Sequence, residues 1–294
     1  MKAPIIFIAA MTLLSACGMK QEKTEQVPTT DSTLQAKVAS IMESKLNEFG
    51  AQSGRVIVMD VQTGQVKASY GEDPIAPYKS VLVRPAALLA ALKTGKVHLG
   101  DTIDTENGVC VVGNDTLFDN NWRRGGYGKM TVRQAFAQNS VVGIYKMAVK
   151  AFDGNMEEYL SKVREIYSMT GDTTSLIVFA NHGEWATVSP MLTLVLVNKI
   201  AANAGNDSLK SALRYAVTDG VGIKANTDKT EVAGISGTTR QEDGSYWAEF
   251  CGYFPYDNPK YSIIVAIHKR DTPVSGGAMA GDVFREIVNL LWND

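Results

Sequence analysis

The side chains best suited to chemistry are few and scattered. His98, His182 and His268 stand far apart in the chain. No two of them are spaced like metal ligands, so neither a metal nor another cofactor is expected. Cys17, Cys110 and Cys251 are too few to build a disulfide framework, and whether Cys110 and Cys251 pair stays open. The segment Trp122-Arg123-Arg124-Gly125-Gly126-Tyr127-Gly128 joins cations, aromatic rings and glycine-rich backbone. It suits a clamp for a sugar or a partner, or a solvated loop. Glu157, Glu158 and Lys162 make an i,i+4 surface pattern. Lys and Arg total 29 against 31 Asp and Glu, a formal charge of −2. With no basic excess to neutralise a phosphate backbone, nucleic acid is not an expected partner.

The elements that must position such groups follow from composition and periodicity. The 294 residues are 45% hydrophobic and 20% charged, which is ordinary globular usage and excludes a wholly disordered chain or a polytopic membrane protein. Lys2 precedes an apolar run over residues 4–14. Eleven residues are too short to cross roughly 30 Å of hydrocarbon as a helix, and they suit a signal-peptide core. Leu14-Ser15-Ala16-Cys17 resembles a bacterial lipobox, which implies cleavage before Cys17 and lipidation of its thiol and new amino terminus. The expected organisation is a signal peptide at 1–16, a polar lipidated tether at 17–33 and one domain at 34–294. The domain is then extracytoplasmic, held on the periplasmic side of the inner or the outer membrane.

Within the domain, apolar spacing predicts an amphipathic helix over 34–49 and a hairpin over 55–70, turned at Gln62-Thr63-Gly64. A helix is expected over 82–92 with Pro85 in its first turn. Residues 102–130 read as loop. Helices are expected over 131–150, 156–167 and 189–203, then strands over 247–254 and 261–268, and a closing helix over 278–292. Strands at both ends with helices between suit an α+β fold, an antiparallel sheet whose terminal strands pair, flanked by helices and carrying an inserted all-helical lobe.

Several stretches, in this order, resemble the transpeptidase domain of penicillin-binding proteins. They are VIVMDVQTGQVKASYG, RPAALLAALKTGKVHLGDTIDT, NWRRGGYGKMTVRQAFAQNSVVGIYKMA, VSPMLTLVLVNKIAANAG, VAGISGTTR and AEFCGYFPYDNPKYSIIVAIHK. The likeness runs from about Gly54 to the C-terminus. It implies the fold shared by penicillin-binding proteins and serine β-lactamases, and work on peptidoglycan in the cell wall. Members of the family use three short motifs, Ser-x-x-Lys, Ser-x-Asn and Lys-Thr-Gly. The Ser attacks an acyl donor, and the Lys one helical turn on takes its proton. The second motif relays a proton and binds the peptide, and the third neutralises a carboxylate beside the oxyanion hole.

At the matching positions this chain has different side chains. The nucleophile falls on Val81 and its Lys on Arg84. The second motif falls on Asn139-Ser140-Val141 and the third on Ile235-Ser236-Gly237, followed by Thr238. Val81 has no nucleophile, and Arg84 stays protonated near neutrality and is a poor base. Val141 has no amide and Ile235 no charge. The resemblance therefore implies an impaired acylation site in a binding or regulatory lipoprotein, with a peptidoglycan stem peptide or a cell-wall synthesis protein as partner and the membrane reached through the lipid anchor. Arg84, Ser140, Ser236 and Thr238 are the ligand-binding candidates. One alternative is an active serine D,D-transpeptidase or carboxypeptidase with Ser80 as a displaced nucleophile. The other is a structural module that serves partner interaction.

Overall fold

The computed structural model describes residues 32–72, 74, 78–171 and 179–293. Cys17 and the predicted signal peptide lie outside them. Helix α1 (Ser32–Phe49) turns Leu34, Val38 and Met42 inward at helical spacing. Strand β1 (Ser53–Asp60) and strand β2 (Val66–Tyr70) form the expected hairpin. Its turn is held by Asp60, whose carboxylate accepts from the Thr63 amide at 2.8 Å and the Thr63 hydroxyl at 2.9 Å.

A lobe is then inserted. It begins with β3 (Tyr78–Ser80) and α2 (Arg84–Lys93), continues through β4 (Thr102–Asp104), β5 (Val109–Val112), β6 (Asp115–Phe118) and β7 (Lys129–Thr131), and passes to α3 (Val132–Ala137), α4 (Val141–Ala151) and α5 (Met156–Ser168). It closes with β8 (Ala186–Val188), α6 (Pro190–Ala202) and α7 (Asp207–Thr218). The chain returns to the sheet as β9 (Ala233–Arg240), β10 (Tyr246–Phe254) and β11 (Tyr261–Lys269), and ends in α8 (Gly281–Asn293).

The sheet order is β2-β1-β11-β10-β9, antiparallel throughout, so the first and last strands do pair, Val56 opposite Val265. Alternation sends the two sides of β1 to different layers. Val56 and Val58 pack with α1 and α8 through Val38, Met42, Val283 and Phe284. Ile57 and Met59 pack with α2 and α6 through Leu88 and Leu196. The result is a helix–sheet–helix arrangement, with α1 and α8 on one face of the sheet and α2 and α6 of the inserted segment on the other.

Three expectations change. Residues 102–130 are not plain loop. Val109–Val112 and Asp115–Phe118 make a hairpin around Gly113, whose φ is +59°, and β4 pairs with β7. Short strand pairs therefore interleave the lobe, which is not all-helical. The helix expected over 131–150 is two helices. Thr131 does cap the first with a complete capping box, but Asn139 at φ +56° breaks the run and Ser140 caps the second. Helix α7 is a further element beyond those expected; its cap Asn206 makes no side-chain bond, although Asn206 followed by Asp207 is a helix-start signal.

Candidate functional site

A cleft of about 450 Å³ lies where the lobe meets the edge strand β9. Val81 and Arg84 come from the start of α2, Asn139 and Val141 from the α3–α4 junction, and Ser236 and Thr238 from β9. Three sequence segments that stand 58 and 96 residues apart, at Val81, Asn139 and Ile235, thus meet around one cavity. Val221, Val274 and Phe118 complete an apolar wall.

The period of β9 divides its residues between the two sides of the strand. Ser236 and Thr238 line the cleft. Ile235 is 1% exposed and packs in the core beneath α2. Gly237 faces Val81 so closely that an added Cβ would stand 2.7 Å from the valine methyl. Thr239 accepts the Val81 N–H at 3.2 Å, so that amide is not free to meet a ligand oxygen. Thr238 accepts the Gly276 N–H at 2.8 Å, leaving its hydrogen free to donate.

Ser80 is fully buried and does not line the cleft. Its hydroxyl donates to Glu249 Oε2 at 2.7 Å and accepts the Leu82 N–H at 3.0 Å. Tyr78 donates to the other Glu249 oxygen at 2.5 Å. Burial pushes the Glu249 carboxyl up to about 7, against the pull of the two hydroxyls. Lys79, next to Ser80, points elsewhere: it pairs with Glu242 at 3.1 Å and lies 4.6 Å over the Trp185 ring. Sequence reasoning missed Glu249. An acid among the apolar residues of a central strand, in AEFCGYF, was the available signal.

Ser140 is likewise fully buried and does not reach the cleft. As the cap of α4 it accepts the Gly143 N–H at 2.8 Å and donates to Asp119 at 2.9 and 3.0 Å. Asp119 also accepts the Val142 N–H at 3.0 Å. The donor of Ser140 is taken by Asp119 and the residue is fully buried, so as a ligand-binding candidate it does not meet the cleft. Asn139 does face the cleft. Its amide donates to the Ser236 carbonyl at 2.9 Å and ties the lobe to β9, while its Oδ1 is buried without a partner.

Among the described residues, Arg84 supplies the only charge of the cleft lining. The residue is 3% exposed, and its Nε has no partner. Burial lowers its pKa to about 10, with Asp119 pulling the other way, so it remains a cation at neutral pH. No acid among the described residues forms an ion pair with it, because Asp119 spends its oxygens on Ser140 and the start of α4. Cys110 and Cys251 are both free thiols, the second buried. Among the described residues no group of His, Cys, Asp and Glu is placed to hold a metal ion, and no helix is long and apolar enough to cross a membrane.

Residues 179–289 match the family model described as the penicillin binding protein transpeptidase domain. The probable peptidoglycan D,D-transpeptidase PenA of Neisseria flavescens is 23% identical over 330 residues, covering 87% of this chain and 80% of that protein. A peptidoglycan glycosyltransferase from Burkholderia ambifaria superposes with a TM-score of 0.74 at 20% identity, over 90% of this chain and 96% of that one. The transpeptidase domain of Burkholderia pseudomallei penicillin-binding protein 3 gives 0.74 at 19% identity, over 90% and 95%. A Legionella pneumophila D,D-transpeptidase domain gives 0.64 at 20% identity, over 89% and 97%. The order of elements, the cleft against β9 and these likenesses give the chain the fold of the penicillin-binding protein transpeptidase domains, and its residues 179–289 resemble their family model.

Proposed function

We propose that this chain is a cell-wall lipoprotein that holds peptidoglycan peptides in its cleft without forming an acyl bond. The observation that carries it is Val81 at the base of the cleft, in the position where the family's nucleophile is expected. Hydrocarbon there cannot attack a carbonyl. The neighbouring hydroxyls do not stand in: Ser80 is engaged by Glu249 and Ser140 by Asp119, both out of the cleft. Arg84 is a cation and not a base, and Ile235 supplies no charge from the strand. The cleft itself persists, with a volume inside the roughly 300–1,000 Å³ common for small-ligand sites.

The relatives' names speak of peptidoglycan, which supports work at the wall by a domain outside the cytoplasm. Lipidation of Cys17 would keep it beside a membrane face. Incubation of the purified domain with a fluorescent penicillin, followed by intact-mass measurement, tests the reading. No adduct is expected. An adduct on Ser80, lost in Ser80→Ala, would establish the displaced-nucleophile enzyme instead.

A further inference from the structure

The strand edges of this chain are not treated alike. At β2 the side-chain amide of Gln35 accepts the Ser69 N–H at 2.9 Å and donates to the Ser69 carbonyl, filling the place of a further strand. At β9 Asn139 donates to the Ser236 carbonyl at 2.9 Å, and Gln241 holds both backbone groups of Lys79 at 3.1 and 3.0 Å. The β5–β6 hairpin has two edges of its own. The β6 edge looks across a crevice onto the segment around His182, which bonds Asp115 at 3.1 Å. The β5 edge has no such cover. Val112 lies opposite Asp115, and the Asp119 N–H bonds the Gly108 carbonyl at 2.8 Å. Gly108, Cys110 and Val112 therefore turn their backbone groups to β6, while Val109 and Val111 turn theirs away. Asn107 Oδ1 meets the Val109 N–H at 3.3 Å. Among the described residues nothing bonds the outward groups of Val111, which is 72% exposed. Strand β5 has no charge, proline or bulge, the devices that keep an open edge from pairing.

We propose that β5 is a self-association edge, which pairs antiparallel with β5 of a second copy of this chain. Val109 and Val111 carry the outward backbone groups, so they must face one another across the new seam. Val109 opposite Val111 of the other copy, and the reverse, engages both residues of each strand. Val111 opposite Val111 would instead set Val109 against the turn at Gly113, whose φ of +59° is not that of a strand. The first register is therefore favoured, and it is its own complement, which selects a second copy and closes as a two-fold dimer. It sets β-branched pairs on the exposed face, beside Phe118 of each copy. It also sets Cys110 opposite Cys110 on the two-fold axis, in a non-hydrogen-bonded pair with Cα atoms about 4.5 Å apart. That lies within the roughly 4.4–6.8 Å that a disulfide spans, and Cys110 is a half-buried free thiol. Neither β5 nor its turn is charged, so two copies meet without like-charge repulsion. Four residues a side bury less than the roughly 1,200 Å² of a stable interface, so the dimer is weak in solution. Copies held on one membrane face by the proposed lipid on Cys17 meet at a higher effective concentration.

Sedimentation equilibrium of the mature chain carrying Cys17→Ser should show a reversible monomer–dimer equilibrium. Diamide takes one hydrogen from each of two thiols, is itself reduced to the hydrazine, and leaves one S–S bond. It should trap the dimer through Cys110 of both copies, as peptide mass mapping would locate. Val111→Lys places a like charge on each side of the seam at an exposed position. It should lower the trapped dimer at least about fivefold, while Cys110 still reacts fully with a maleimide. Monomer alone at the highest soluble concentration would overturn the proposal, as would equal trapping in parent and Val111→Lys. A dimer that survives Val111→Lys would overturn it too, because the copies then meet elsewhere. These outcomes are independent of whether the cleft acylates, so the proposal stands or falls apart from the function proposed above.

Discussion

Glu249 is the sharpest place to test how the site is held. It sits at 0% exposure in the central part of β10, its two oxygens taken by Tyr78 and Ser80. Burial lifts its pKa from the ordinary 4.5 to about 7, and the hydroxyls recover part of that cost. Tyr167 and Cys251 face the same pocket and are themselves pushed up, chiefly by burial. Between pH 4.5 and 7 the folded chain keeps a proton on Glu249 that the unfolded chain has released. Stability therefore falls as pH rises through that window. At about 1.4 kcal/mol per pK unit, the difference between 4.5 and 7 amounts to about 3 kcal/mol. Glu249→Gln removes the titration while preserving shape. Urea unfolding of parent and variant at pH 4.5 and pH 8 isolates this contribution from the rest of the chain. The variant should be level with the parent or about 1 kcal/mol weaker at pH 4.5, because its amide accepts at only one atom. It should gain about 3 kcal/mol on the parent by pH 8. Parallel pH dependences, agreeing within about 0.5 kcal/mol, would refute the claim that Glu249 holds its proton because it is buried.

Three further outcomes follow from the same geometry. Ser140→Ala removes both the α4 cap and a partner of Asp119, and should cost about 1–3 kcal/mol in denaturant unfolding, with Ser140→Thr largely rescuing it. Val81→Ser restores a hydroxyl at the base of the cleft but should leave the protein unlabelled by penicillin, because Arg84 cannot take its proton and Thr239 holds the adjacent N–H; intact-mass measurement reads this directly. Cys17→Ser should shift the expressed protein from the membrane fraction to the soluble fraction, as loss of a proposed lipid anchor requires; unchanged partitioning would count against lipidation at that residue.

Where the sequence was legible, the signal was local and periodic. The apolar run of β1, the turn at Gln62-Thr63-Gly64 and Pro85 at the start of α2 each stand in the structure as their chemistry dictates. Motif positions too were legible, since Val81, Arg84, Asn139, Val141, Ser236 and Thr238 do gather on one cleft. What stayed hidden was tertiary. Nothing local says that Val109-Cys110-Val111-Val112 will find Asp115-Thr116-Leu117-Phe118 across Gly113 and become a hairpin, because the run is short and its side chains are only half covered. Nothing local says that Asn139 will adopt φ +56° and split a helix, although asparagine tolerates that region better than most residues. The fate of Ser80 depends on Glu249, 169 residues away, and a contact of that separation leaves no periodic trace.

The groups that hold this site together are separate from those at motif positions 81, 84 and 235. The groups that fasten the lobe to the sheet are Asn139 on the Ser236 carbonyl, Thr239 on the Val81 amide and Ser80 with Tyr78 on Glu249. Two of these links end on a backbone group, and the other ends on a residue outside the three motifs. The groups that would do chemistry, at positions 81, 84 and 235, contribute none of those links through their side chains. Valine at 81 and isoleucine at 235 instead add apolar contacts, against Gly237 and the core beneath α2. Both side chains therefore serve packing and stand outside the links that fasten the lobe to the sheet. Arg84 is the exception, for it adds a buried charge whose Nε has no partner and whose burial Asp119 offsets only in part.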